Sequence, residues 1–76
     1  MIVEKLIRMA NQIAVNFDFG PDKPKAVDGV ADHLRRFWTP GMKAEIIAYQ
    51  ESGGSQLNEI AAQAVARLAE EQSSAA

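Results

Sequence analysis

The side chains best suited to chemistry or recognition lie together in the stretch HLRRFWTPGMK, residues 33–43. It holds the only histidine of the chain, two consecutive arginines and the only tryptophan. A histidine can act as a general base if a partner orients it within a cleft. Arginine can bind a carboxylate through two parallel hydrogen bonds, and tryptophan beside arginine is typical of interface hot spots. The stretch is therefore either the end of an ordinary core helix or a docking surface for a partner, unless a second residue completes a catalytic site around the histidine.

Nothing else in the sequence completes a catalytic site around His33. The adjacent Asp32 projects from a helix in another direction, and no Ser-His-Asp order, HExxH, P-loop or GxGxxG motif occurs. With no cysteine, the chain offers no thiolate ligand to zinc or to an iron–sulfur cluster. We predict a protein that is not an enzyme by itself and holds no cofactor or metal, with His33 as a boundary or interface residue.

Size and composition favour a domain that needs support from a partner. A chain of 76 residues buries only about 60% of the surface that its unfolded form exposes, and there are no disulfides to reinforce it. The net charge of −2 argues against general binding to nucleic acid, which demands a basic face. No apolar run approaches the length of a membrane span. The lack of cysteine fits a cytoplasmic location.

Hydrophobic periodicity predicts an all-α protein, a small irregular four-helix domain with helices near residues 2–17, 24–38, 40–51 and 56–71. Pro24 and Pro40 suit the first turns of the second and third helices, and Thr39 suits an N-cap. Gly53-Gly54 predicts the turn before the fourth helix, for which Ser55 and Asn58 are candidate caps. We expect one domain over residues 1–71 and a disordered C-terminal tail over 72–76.

The first helix has a broad apolar arc that one antiparallel neighbour would not cover. Either two other helices of the same chain cover it, or one of the covering elements belongs to another chain, which would favour self-association of the isolated protein. In the second helix, Phe37 is predicted to be core, and Trp38 partly core and partly interface. Gly29 is interpreted as a tolerated surface glycine, with close approach of a neighbour as the alternative.

Two surfaces are candidates for docking on a partner. Arg35 borders the apolar stripe of the second helix and is the better placed arginine, because Arg36 can pair with Asp32 one turn earlier. A second candidate surface lies on the polar side of the first helix. The predicted partner-binding residues are Arg8, Asn11, Gln12, His33, Arg35, Arg36 and Trp38.

Two segments together resemble a known family: KLIRMANQIAVNF, residues 5–17, and VADHLRRFWTPGM, residues 30–42. Their Met-Ala-Asn-Gln-Ile run and Phe-Trp-x-Pro motif resemble the small delta subunit family of NAD-dependent formate dehydrogenases. The spacing agrees over nearly the whole chain. Thr39 replaces a residue that is usually acidic in that family, and Gly41 replaces one that is usually basic.

The resemblance implies an accessory subunit of a soluble cytoplasmic complex that oxidises formate to carbon dioxide and reduces NAD. In such a complex, the catalytic alpha subunit carries a bis-molybdopterin guanine dinucleotide cofactor with molybdenum or tungsten, and other subunits carry iron–sulfur clusters and flavin. The delta subunit has no redox centre. It is associated with assembly, cofactor insertion or stability, and its implied partner is the alpha subunit.

A small helical DNA-binding regulator is the alternative function. The second helix, the sharp turn at Thr39 and the third helix superficially resemble a helix-turn-helix. The second helix of such a pair should present several basic or amide side chains to a groove. The third helix offers only Lys43 and Gln50, opposed by Glu45 and Glu51, so the sequence favours the accessory subunit.

Overall fold

The computed structural model describes residues 3–18 and 20–74, with side chains through Glu71. Four helices follow one another: α1 (Val3–Phe17), α2 (Lys23–Phe37), α3 (Pro40–Glu51) and α4 (Glu59–Ser74). No β-strand occurs within those two described ranges. The predicted all-α, four-helix fold class is confirmed. Ile2, the predicted first residue of α1, lies outside the described residues.

The boundaries of α2 and α3 follow from local capping. The carboxylate of Asp22 accepts a hydrogen bond from the Lys25 amide at 3.1 Å, so α2 begins one residue before Pro24. Thr39 has extended backbone angles, and its hydroxyl accepts a hydrogen bond from the Met42 amide at 3.2 Å. Each cap satisfies an amide that lacks an intrahelical partner. Trp38 and Thr39 connect α2 to α3, so the connection is two residues long, and α2 ends one residue before its predicted end.

The α4 helix differs from its prediction at both ends. Asn58, rather than Ser55, caps it, because the Asn58 side chain accepts a hydrogen bond from the Ala61 amide at 2.8 Å. At the other end, α4 continues to Ser74, three residues past the predicted end. Residues 72–74, which were predicted to belong to a disordered tail, are thus the last turn of α4. No glycine or proline stops the helix before them. Residues 75 and 76 lie outside the described part of the chain.

One apolar core joins all four helices, and α1 contacts each of the other three. Neighbours within the same chain thus cover the centre of the broad apolar arc of α1, as in the intramolecular alternative, and leave its edge partly open. The fully buried large side chains come from every helix: Leu6, Val27, Val30, Leu34, Ile46, Val65 and Leu68. Some apolar residues of α1 remain only partly covered, namely Val3, Met9, Ile13 and Phe17.

Gly29 allows the ring of Phe17 to lie directly against α2. A Cβ atom at Gly29 would stand 2.6 Å from Cδ1 of Phe17, well inside van der Waals contact. The interpretation of Gly29 as a tolerated surface residue is therefore wrong, and the alternative of close approach is correct. Sequence alone could not distinguish the two, because the contacting ring comes from another helix.

We expect Gly29→Ala to destabilise the chain when position 17 is phenylalanine and to stabilise it when position 17 is alanine. In the wild-type chain, overpacking against Phe17 costs about 1–3 kcal/mol and outweighs the helix propensity of alanine, which contributes up to about 1 kcal/mol. In a Phe17→Ala background, only the propensity gain remains. Urea denaturation of the four chains measures both effects. Equal effects of Gly29→Ala in the two backgrounds would contradict the contact.

Candidate partner-binding surface

The two aromatic residues that end α2 and start the corner have opposite environments. Trp38 is 5% exposed and belongs to the core, whereas Phe37 is 70% exposed. The prediction that Phe37 is core is wrong. Trp38 was predicted to be partly core and partly interface, and the structure shows it in the core. Trp38 has already left the helix, with extended backbone angles of φ −86° and ψ 142°, and this turn directs its ring inward.

Phe37 is exposed although it lies on the buried face of α2. At 100° per residue it projects within about 20° of Val30 and Ala26, which are both buried. Phe37 is the last residue of α2, so its exposure comes from its place at the end of the helix and not from its angle around the axis. Periodicity gives that angle but does not show how far along a helix its neighbours extend.

Arg35 is bound within the chain. Its Nε and Nη2 atoms donate to the two carboxylate oxygens of Glu71 in α4, at 2.9 and 2.7 Å, and Nη1 donates to Asp32 at 3.0 Å. The hydrogen bonds to Glu71 are the main cause that raises the pKa of Arg35 further above its usual value. The carboxylate that we predicted Arg35 would find on a partner is thus supplied by α4. A second pair, between Arg67 and Asp28, joins the same two helices.

Arg36 forms the intrahelical pair that its spacing predicts. Its Nε atom lies 3.1 Å from Oδ2 of Asp32, one turn earlier, and its side chain is 69% exposed. Such exposed pairs contribute little to stability. Arg36 therefore remains available at the surface of α2.

Asn11 has a structural role that its place on the polar side of α1 did not reveal. Its Nδ2 atom donates to the carbonyl of Gln56 at 2.9 Å, and its Oδ1 atom accepts from the amide of Asn58 at 2.8 Å. These bonds fix the turn between α3 and α4 against α1. The neighbouring Arg8 and Gln12 are exposed and point to solvent.

His33 and Phe37 form an aromatic pair on the open side of α2. Their ring centroids are 4.9 Å apart and the rings are tilted by 48°. His33 is half-buried. The structure thus brings two of the predicted residues, His33 and Arg36, beside an exposed phenylalanine that the prediction omitted. The one available signal was the i, i+4 spacing of His33 and Phe37.

Phe37 and Val15 are the large hydrophobic residues of the described chain that stand clearly exposed, at 70% and 61%. Val15 lies on α1 beside Asn58 and Ile60, so the two mark different surfaces. Within residues 3–18 and 20–74, no group of three or more His, Asp or Glu could hold a metal ion. None of the described helices is long and apolar enough to cross a membrane.

Comparison with known families matches residues 5–65 to the family described as the NADH-dependent formate dehydrogenase delta subunit FdsD. No curated protein and no solved structure matched this chain. The matched range includes α1, α2, α3 and the first half of α4. Because it spans most of the 76 residues, the chain belongs to the delta subunit family of NADH-dependent formate dehydrogenases.

Proposed function

We propose that this chain is a non-catalytic accessory subunit that binds the catalytic alpha subunit of a formate dehydrogenase and supports its assembly, cofactor insertion or stability. The observation that carries the proposal is the family match over residues 5–65. The exposed ring of Phe37, paired with the half-buried His33 on α2, agrees with a binding role. The complex itself would work in the cytoplasm.

The chemistry of the complex is assigned to other subunits in this proposal. The alpha subunit would carry the bis-molybdopterin guanine dinucleotide cofactor with molybdenum or tungsten, and this chain would carry no cofactor. With no cysteine, it has no thiol to ligate a cluster or to pass sulfur to the metal. This chain would contribute by binding the alpha subunit and holding it in a defined arrangement.

The DNA-binding alternative has little support from the surface of α3. The exposed positions of this helix carry no cation and include two carboxylates; they are Pro40, Gly41, Ala44, Glu45, Ala48 and Glu51. Lys43 is half-buried, and its Nζ atom donates to the Arg35 carbonyl at 3.2 Å. A recognition helix presents basic or amide groups to the groove, and this helix presents the opposite charge.

Reconstitution tests the proposal. We expect the wild-type chain to bind the formate dehydrogenase complex prepared without it, through the alpha subunit. We also expect the complex produced in its absence to contain less molybdenum or tungsten per alpha subunit and to reduce NAD more slowly with formate. Elemental analysis and activity per alpha subunit measure this. Full metal content and activity in a complex that never contained the chain would contradict the assembly role.

A further inference from the structure

The open side of the α1–α2 pair carries an apolar stripe, which follows from the turn-by-turn geometry of the two helices. Five residues define it: Met9, Ile13, Phe17, His33 and Phe37. Phe17 lies against Gly29, and the short connection over residues 18–22 makes the two helices antiparallel. Moving one turn back along α1 and one turn forward along α2 reaches Ile13 and His33, and a second turn reaches Met9 and Phe37. The apolar stripe thus runs along the seam of the two helices.

This stripe is incompletely covered by the chain itself. Met9, Ile13, Phe17 and His33 are half-buried, and Phe37 is exposed. Beyond Phe17 the stripe opens into a groove of about 600 Å³ whose floor includes Pro21 and Ala26. From Met9 to Phe17 the stripe is about 12 Å long at the helical rise per residue, which matches three anchor residues of a partner helix at i, i+3 or i+4, and i+7.

Charges of both signs lie beside the stripe. Asp22 and Asp28 line the groove, but the carboxylate of Asp22 caps α2 and that of Asp28 pairs with Arg67, which leaves lysines as the unpaired charges in the described part of the chain. Lys5 precedes Met9 by one turn on the same side of α1, and Lys25 precedes Gly29 in the same way on α2. Among the described residues, neither lysine takes part in an ion pair. Arg36 adds a third cation, which shares the Asp32 carboxylate with Arg35.

The same bias holds across the whole chain. Residues 1–37, which include α1 and α2, contain six Lys or Arg against five Asp or Glu, a net +1, and residues 38–76 contain two against five, a net −3. Together these account for the net charge of −2 of the whole chain. The α1–α2 part is therefore the more basic part of an acidic protein.

We propose that the apolar stripe binds an amphipathic helix of the alpha subunit whose apolar face is flanked by carboxylates. Phe37 is the anchor that enters the partner, and Lys5, Lys25 and Arg36 select acidic flanks. This inference rests on the proposed function and adds to it the surface and the chemistry of the partner. Electrostatic complementarity of this kind speeds association and orients the partner, while the buried aromatic anchor slows dissociation.

Two matched pairs of variants test the stripe. The probe is the formate dehydrogenase complex prepared without this chain, immobilised for a binding titration. Phe37→Ala should raise Kd at least about 30-fold, as expected for an aromatic hot spot, whereas Val15→Ala removes an equally exposed apolar residue elsewhere and should leave Kd unchanged. Lys5→Glu should slow association about tenfold at low salt. Arg8→Glu makes the same charge change on the second candidate surface, the polar side of α1; a slower association for Arg8→Glu with no effect of Lys5→Glu would move the docking site there and overturn the stripe.

Melting curves followed by circular dichroism should show that all four variants remain folded, because each substituted side chain is exposed. Binding of the wild-type chain with equal Kd for Phe37→Ala and Val15→Ala would overturn the stripe and leave the proposed function standing. A complete lack of binding by the wild-type chain would overturn both. If Phe37→Ala converts a dimer of the isolated chain into a monomer in sedimentation and leaves binding to the complex unchanged, the occupant is a second copy and the inference is wrong.

Discussion

Trp38→Ala should cost about 3–5 kcal/mol of unfolding free energy, as truncation of a buried tryptophan does. The ring is 5% exposed and closes the core at the corner between α2 and α3. A domain of this length has only about 4–11 kcal/mol of stability in all. We therefore expect a chain that is partly unfolded at physiological temperature. Urea denaturation followed by far-UV circular dichroism measures the loss without relying on the fluorescence of the removed tryptophan.

The preceding aromatic residue is the control for this result. Phe37→Ala removes a ring that is 70% exposed, and its effect should stay within about 0.5 kcal/mol, apart from its contact with His33. The two substitutions thus separate stability from binding at adjacent positions, because Phe37→Ala should affect the partner alone. A larger loss of stability for Phe37→Ala than for Trp38→Ala would contradict the packing of this corner.

Asn11→Ala should cost about 1–3 kcal/mol, because it leaves two backbone groups of the α3–α4 turn without their partners, one of them part-buried. These are the carbonyl of Gln56 and the amide of Asn58, bonded at 2.9 and 2.8 Å to the Asn11 side chain. The Asn58 amide lies in a half-buried environment, so water replaces the lost bond only in part. Denaturation of the purified variant gives the free energy change, and hydrogen exchange at Asn58 reports it locally.

Gln12→Ala is the matched control, since Gln12 is also an amide on α1 but is exposed. Its substitution should change stability by less than about 0.5 kcal/mol. If Asn11→Ala were as harmless as Gln12→Ala and weakened only partner binding, Asn11 would belong to the docking surface after all. The structure favours stability as the first property that this substitution changes.

Local chemistry along the chain determined the helices. Pro24 and the pair Thr39-Pro40 predicted where α2 and α3 begin, and Gly53-Gly54 predicted the turn that follows α3. Gly53 and Gly54 both have positive φ angles, which other residues adopt only under strain. Such signals depend on atoms within about four residues of each other, so one sequence suffices to read them. The motifs in α1 and around the corner likewise sufficed to predict the family.

Tertiary structure decided which side chains are left for a partner. The sequence predicted that Arg35 is left for a partner, yet Arg35 is bound by Glu71, which lies 36 residues away. Phe37 and Trp38 both lie on the predicted stripe, yet Phe37 is exposed at the end of α2 while the corner turns Trp38 inward. A helical wheel gives the angle of a residue around its own helix but not the direction from which, or the length over which, neighbouring helices cover it. In a domain this small, that direction depends on contacts between distant segments, and only the folded chain supplies them.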